Sequence, residues 1–163
     1  MKTFITAIIF GLFGAVAVSI SFAMAWPTWV MFIAWVSYYL FGKTVLSSLK
    51  AFIQIGLGIL MGVLIQLTGG VLGKVIGTLG FPIAVFIFIG SLAYFARTKT
   101  LNNIPAWFLG LIVVFGIHPP LAPLPILQLA IPLFFGFLFA WLNDSAVEKV
   151  NAQKTNHSLN QNH

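Results

Sequence analysis

Asp144 and Glu148 are the two acidic side chains of this 163-residue chain, and both stand beyond its last apolar run. Paired-carboxylate catalysis needs two carboxyls within reach of one reacting group. Proton relays and cation sites in membrane transporters rest on Asp or Glu inside the spans. Neither is expected here. The absence of cysteine excludes disulfides, iron–sulfur ligation and thiol catalysis. Every Lys and Arg falls at the end of an apolar segment, so no intramembrane anion site is expected either. His118 lies in a stiff, proline-rich run, His118-Pro119-Pro120-Leu121-Ala122-Pro123-Leu124-Pro125. An interfacial structural role is expected for it ahead of pH sensing. His157 and His163 read as solvated tail residues. No catalytic residue, metal ligand or cofactor site is expected, and the chain does not read as an enzyme.

Chemistry that remains must use neutral groups. Ser19, Ser21, Ser37, Tyr38, Tyr39, Gln54, Gln66, Ser91, Tyr94 and Gln128 punctuate the apolar runs, and Asn102 and Asn103 stand where they can cap a helix. Buried in lipid without partners such groups are costly, so they are expected to face one another or a wet path. The candidate solute path comprises Pro27, Trp29, Ser37, Tyr38, Gln54, Ser91, Tyr94, Asn103, Pro105, Trp107 and Gln128. Donors, acceptors and aromatic rings without charge suit a small uncharged solute, or an anion held at helix N-termini.

These residues sit in a chain that is 60% hydrophobic and 6% charged, with a mean hydropathy of +1.06. A soluble domain carries about 25% charged residues, so lipid is expected to be the main solvent. Six apolar segments are read at about 4–25, 27–42, 49–68, 75–96, 105–117 and 124–142. The second and fifth are too short to cross roughly 30 Å of hydrocarbon upright at about 1.5 Å per residue, so each is a short tilted span or a half-helix that dips in beside other helices. The expected fold is an all-α integral membrane protein of six short transmembrane helices over residues 1–142.

With the N-terminus in the cytoplasm, Lys2, Lys43, Lys50, Arg97, Lys99, Lys149 and Lys154 all fall inside and Lys74 alone falls outside. Basic residues gather on the cytoplasmic side of short loops, so both termini are expected there. The net charge of +6 is scattered singly and forms no nucleic-acid patch. Residues 143–163 are polar and Asn-rich and read as a disordered cytoplasmic tail. Ala23-Met24-Ala25 resembles a signal-peptide cleavage site. Cleavage is not expected, because the preceding apolar stretch is long and another apolar run follows.

The two short segments open alike: Trp26-Pro27-Thr28-Trp29 and Ile104-Pro105-Ala106-Trp107. Each has Pro where a missing N–H is harmless and Trp two positions later. Each is the middle member of a trio, and three crossings per trio invert the second against the first. Two inverted three-helix repeats are therefore expected, with the short members beside the substrate path. Small residues are expected to pack the helices. Ala7, Gly11, Ala15, Ser19 and Ala23 form one stripe on the first helix, Gly58-x-x-x-Gly62 with Gly69 another on the third, and Gly73-x-x-x-Gly77 one on the fourth.

Trp29-x-x-Phe32-x-x-Trp35 followed by Tyr38-Tyr39 and Gly42, and Pro105-x-x-Phe108-x-Gly110 with Phe115, resemble the YcdZ-type family of small bacterial inner-membrane proteins. The resemblance covers about residues 4–142 and implies a multi-pass protein of the bacterial inner membrane. It supplies no substrate and no catalytic residues, and the Trp26-Pro27 opening lies outside it. The expected function is a channel or facilitator for a small uncharged solute, uncoupled from ion gradients. A secondary transporter is the alternative, as is an accessory or scaffold subunit of a membrane complex. The expected partners are the lipid bilayer, the solute and a second copy of the chain.

Overall fold

The computed structural model describes residues 2–160, and the side chains of residues 3–152. All regular structure among them is helical. The helices are α1 (Lys2–Ala23), α2 (Thr28–Leu40), α3 (Val45–Ile76), α4 (Gly80–Phe95), α5 (Ile104–Ile117), α6 (Pro123–Gln128) and α7 (Ala130–Asn160), with a 3-10 turn at Gly77–Leu79. Three helical stretches, Thr3–Ala23, Val45–Phe95 and Pro123–Ala152, are long and apolar enough to cross a membrane. Large apolar side chains such as Phe86, Phe22 and Phe4 stand mostly exposed. That surface is compatible with a membrane protein and unfavourable in water.

The helix ends follow from local chemistry. α1 stops where Ala25 enters the left-handed region (φ 52°), with its N–H on the Phe22 carbonyl and the Trp26 N–H on Ser21. Pro27 caps α2 in extended conformation. Asn103 caps α5, its side chain accepting from the Ala106 N–H as the sequence suggests. His118 closes the same helix in the left-handed region, donating its N–H to Val114.

The chain divides into two compact units. The first gathers residues 1–48 and 132–163, hence α1, α2 and α7. Gly136 brings α7 directly onto the backbone of Met31 and the methyl of Ala34, a space that a Cβ would fill. Rings complete the packing: Trp35 stacks on Phe139 at 6.3 Å, Phe13 meets Phe139 edge-on, and Trp26 lies 5.0 Å from Phe135. The Ser21 and Thr28 hydroxyls bond at 2.6 Å across the α1–α2 turn.

The second unit is residues 49–131, with most of α3 and all of α4, α5 and α6. Gly58 lies on the Trp107 carbonyl, Gly110 on the backbone of Ile55 and Gly58, and Gly62 on Val114. Gly77 (φ +63°) permits the fold-back that sets Gly80 on Gly73 and Phe81 on Gly69. Met61, Ile65, Ala84, Leu92, Trp107 and Leu111 form the core between these helices.

Four sequence expectations shift. α3 runs through Gly69, Gly70 and Gly73 to Ile76 rather than ending near 68, and the fourth segment starts at Gly80 rather than 75, so Gly73 belongs to α3 and Gly77 to the 3-10 turn and not to the fourth helix. The sixth segment is split at Leu129 between α6 and α7. α7 then passes through Asn143 and continues to Asn160, so a tail does not open at 143. His163 and the side chain of His157 lie outside the described residues. The α1 stripe does not pack within the chain: Ala7, Gly11, Ala15, Ser19 and Ala23 are all exposed, while Ala17 and Ser21 are buried.

Candidate functional site

The polar residues of the first unit converge where α2 ends against α7. Asp144 is 8% exposed and takes the Lys43 ammonium at 3.0 Å. Its second oxygen lies 3.2 Å from the Tyr38 hydroxyl, which also donates to the Lys43 carbonyl at 2.9 Å. The Tyr39 hydroxyl donates to Asn143 Oδ1 at 3.0 Å, and the Lys43 ammonium stands 4.7 Å above the Tyr39 ring. Three elements build this arrangement. α2 supplies consecutive tyrosines that splay around it, their rings edge-on at 5.3 Å. The turn Gly42–Lys43 returns the ammonium to the helix it has just left, with Lys43 in the left-handed region (φ 54°). α7 supplies Asn143 and Asp144, two turns beyond Gly136 on a face that also carries buried Ala140.

This cluster corrects one premise. The acidic residues are expected to stand outside the apolar body, yet Asp144 is buried in it. Its Asn-rich neighbourhood resembles a tail in composition. The missed signal is periodic: Gly136, Ala140, Asn143 and Asp144 follow i, i+4, i+7, i+8, so the buried face of α7 continues into the polar stretch. Lys43 is half exposed at its side chain. The pair therefore neutralises a buried carboxylate from a partly solvated side.

In the second unit, Gln54 and Asn103 come together. Gln54 is buried, and its Oε1 accepts the Asn103 N–H at 2.8 Å. Its nitrogen donates back to the Lys50 carbonyl at 3.3 Å. Trp107 is buried beside them, its indole N–H on the Leu101 carbonyl at 3.1 Å and its ring 4.9 Å from Phe95. These bonds hold the 96–103 connection onto α3 and α5.

The other proposed path residues are dispersed. Ser37 is buried and bonds its own helix at Ile33, and Ser91 does the same at Phe88. Tyr94 is 76% exposed, and Gln128 and Pro105 are exposed. Pro27 is half-buried, and Trp29 is exposed where its counterpart Trp107 is buried. Two buried amide nitrogens, on Gln66 and Asn143, have no hydrogen-bond partner within the protein. Among the described residues no three His, Cys, Asp or Glu side chains group as metal ligands.

A family model described as a protein of unknown function (DUF1097) matches residues 7–147. No curated protein and no solved structure matches the chain.

Proposed function

The chain belongs to the DUF1097 family, and from that premise we propose that it is a membrane facilitator for a small uncharged solute, built from two inverted three-helix repeats and uncoupled from ion gradients. One observation carries this reading. In one unit α7 crosses the short helix α2 at Gly136, and in the other α3 crosses the short helix α5 at Gly58. Gly58 and Gly136 are 78 positions apart, the separation of Pro27 from Pro105 and of Trp29 from Trp107.

The third helix of each proposed repeat thus joins the short helix of the other. Two repeats that exchange equivalent helices produce that composition of units. Inverted repeats with short middle helices are a transporter architecture. The six crossings, the cytoplasmic termini, the bacterial inner membrane and the YcdZ-type affiliation are parts of the same proposal.

A coupled transporter is the second reading, favoured by one observation: Asp144 is a buried carboxylate, and such groups serve ion coupling. The Lys43 ammonium already neutralises it, which favours the uncoupled reading. The two separate in vesicles containing the purified chain. Urea or glycerol is expected to move down its gradient at a rate indifferent to imposed proton or sodium gradients. Accumulation driven by either ion would establish the coupled reading instead.

A further inference from the structure

Gln66 Nε2 and Asn143 Nδ2 are buried without a hydrogen-bond partner in the protein. An unmet buried donor loses its bonds to water and gains nothing in return, so a fold that keeps two invites a reason. The polar atoms beside Asn143 are engaged elsewhere. Asn143 Oδ1 is occupied by Tyr39, and the two oxygens of neighbouring Asp144 face Lys43 and Tyr38.

The positions of the two amides are related. Gln66 stands eight residues beyond Gly58 on α3, and Asn143 stands seven beyond Gly136 on α7. At about 3.6 residues per turn, each lies two turns past the glycine at which its helix crosses the short one. Each unit therefore carries one unpaired donor about two turns past its glycine crossing, one position off the 78-residue offset that relates the glycines.

Resting on the facilitator reading, we propose that Gln66 Nε2 and Asn143 Nδ2 are the solute contacts of the two units, and that the solute is a small neutral molecule offering a carbonyl or hydroxyl oxygen as acceptor. A free N–H selects an acceptor and rejects a cation. The neutral class follows from the facilitator reading, and formate tests it against an anion.

Vesicles containing the full chain test this with three probes: urea and glycerol as neutral acceptors, and formate as an anion. Urea or glycerol is expected to pass faster than through protein-free vesicles, with formate at background. Gln66→Leu is expected to lower that flux about tenfold while the unfolding midpoint holds or rises, because the substitution removes an unmet donor. Asn143→Leu is expected to lower flux similarly. It also removes the bond from Tyr39, so its stability is compared with that of Tyr39→Phe, which loses the same bond and keeps the nitrogen. Unchanged flux in both leucine variants, with lowered stability, makes the amides structural and overturns the proposal alone. Formate flux that disappears in the same variants overturns the neutral class. Passage of none of the probes by the unmodified chain overturns the facilitator reading and this inference with it.

Discussion

Lys43 and Asp144 are separated by 101 positions and meet at 3.0 Å. Removing the lysine leaves a buried carboxylate without its countercharge, which is strongly destabilising when both partners are buried. Here the ammonium is half exposed, and water screens part of the loss. Lys43→Met and Asp144→Asn are expected to lower stability by about 1–2 kcal/mol each. Combined, they should cost less than their sum by about 1 kcal/mol, the coupling that a double-mutant cycle isolates. Denaturation of the purified protein measures it, and strict additivity would mean the pair contributes nothing. At this scale the sequence is legible for groups that act locally. The Asn103 cap and the proline openings follow from nearest neighbours. The Tyr38–Lys43–Asp144 meeting does not, because it depends on which helices pack together, and the residues give no direct sign of that.

Glycines make the helix contacts selective. Among those on α3, Gly58 and Gly62 press against α5, whereas a Cβ on Gly56 or Gly70 meets open space. Gly58→Ala forces its methyl into the Trp107 carbonyl, a backbone atom that cannot step aside. It is expected to cost at least about 2 kcal/mol by overpacking. Gly56→Ala, two residues away, is expected to be neutral or to stabilise by up to about 1 kcal/mol through helix propensity. Thermal unfolding of both variants checks the contrast, and equal effects would refute the crossing at Gly58. The glycine spacing announces this contact, and Gly58-x-x-x-Gly62 reads correctly. The same reading fails on α1, whose small residues carry an equal period and remain exposed. Periodicity identifies a smooth face and is silent on whether a neighbour covers it. The extension of α3 past Thr68 escaped for a related reason. Gly69, Gly70 and Gly73 resemble a loop, and the approach of Phe81 to Gly69 and of Gly80 to Gly73 is a packing contact that composition does not announce.

Three stretches meet the length and composition of a membrane span, and α2 and α5 fall short of it with 13 and 14 residues. The proposed topology counts both short helices as crossings and divides α3 from α4 at the Gly77 fold-back. A reporter active only outside the cytoplasm, fused after His163, is expected to be silent, because seven of the eight basic residues would then face inward. Activity there would mean an odd number of crossings or a reversed chain. Apolar composition made the helical class legible from the outset. The grouping of helices was not: adjacency in sequence pairs the third segment with the first two, and the structure groups it with the fourth and fifth.

That grouping has a temporal consequence. The unit of residues 49–131 is continuous, while the other is interrupted by it and needs residues from 132 onward. Domains fold as units while the chain is made, so the earliest-made helices here belong to the unit finished last. α1 and α2 must wait through the synthesis of 83 further positions before α7 arrives to cover Met31 and Ala34. Chains arrested at increasing lengths on the ribosome should show the order directly. The natural chain has no cysteine to interfere, so engineered pairs report cleanly. A pair placed across α3 and α5 near Trp107 is expected to cross-link in shorter chains than a pair across α2 and α7 near Gly136. Assembly would thus proceed from the middle of the message outward, with the first helices held in abeyance for the last.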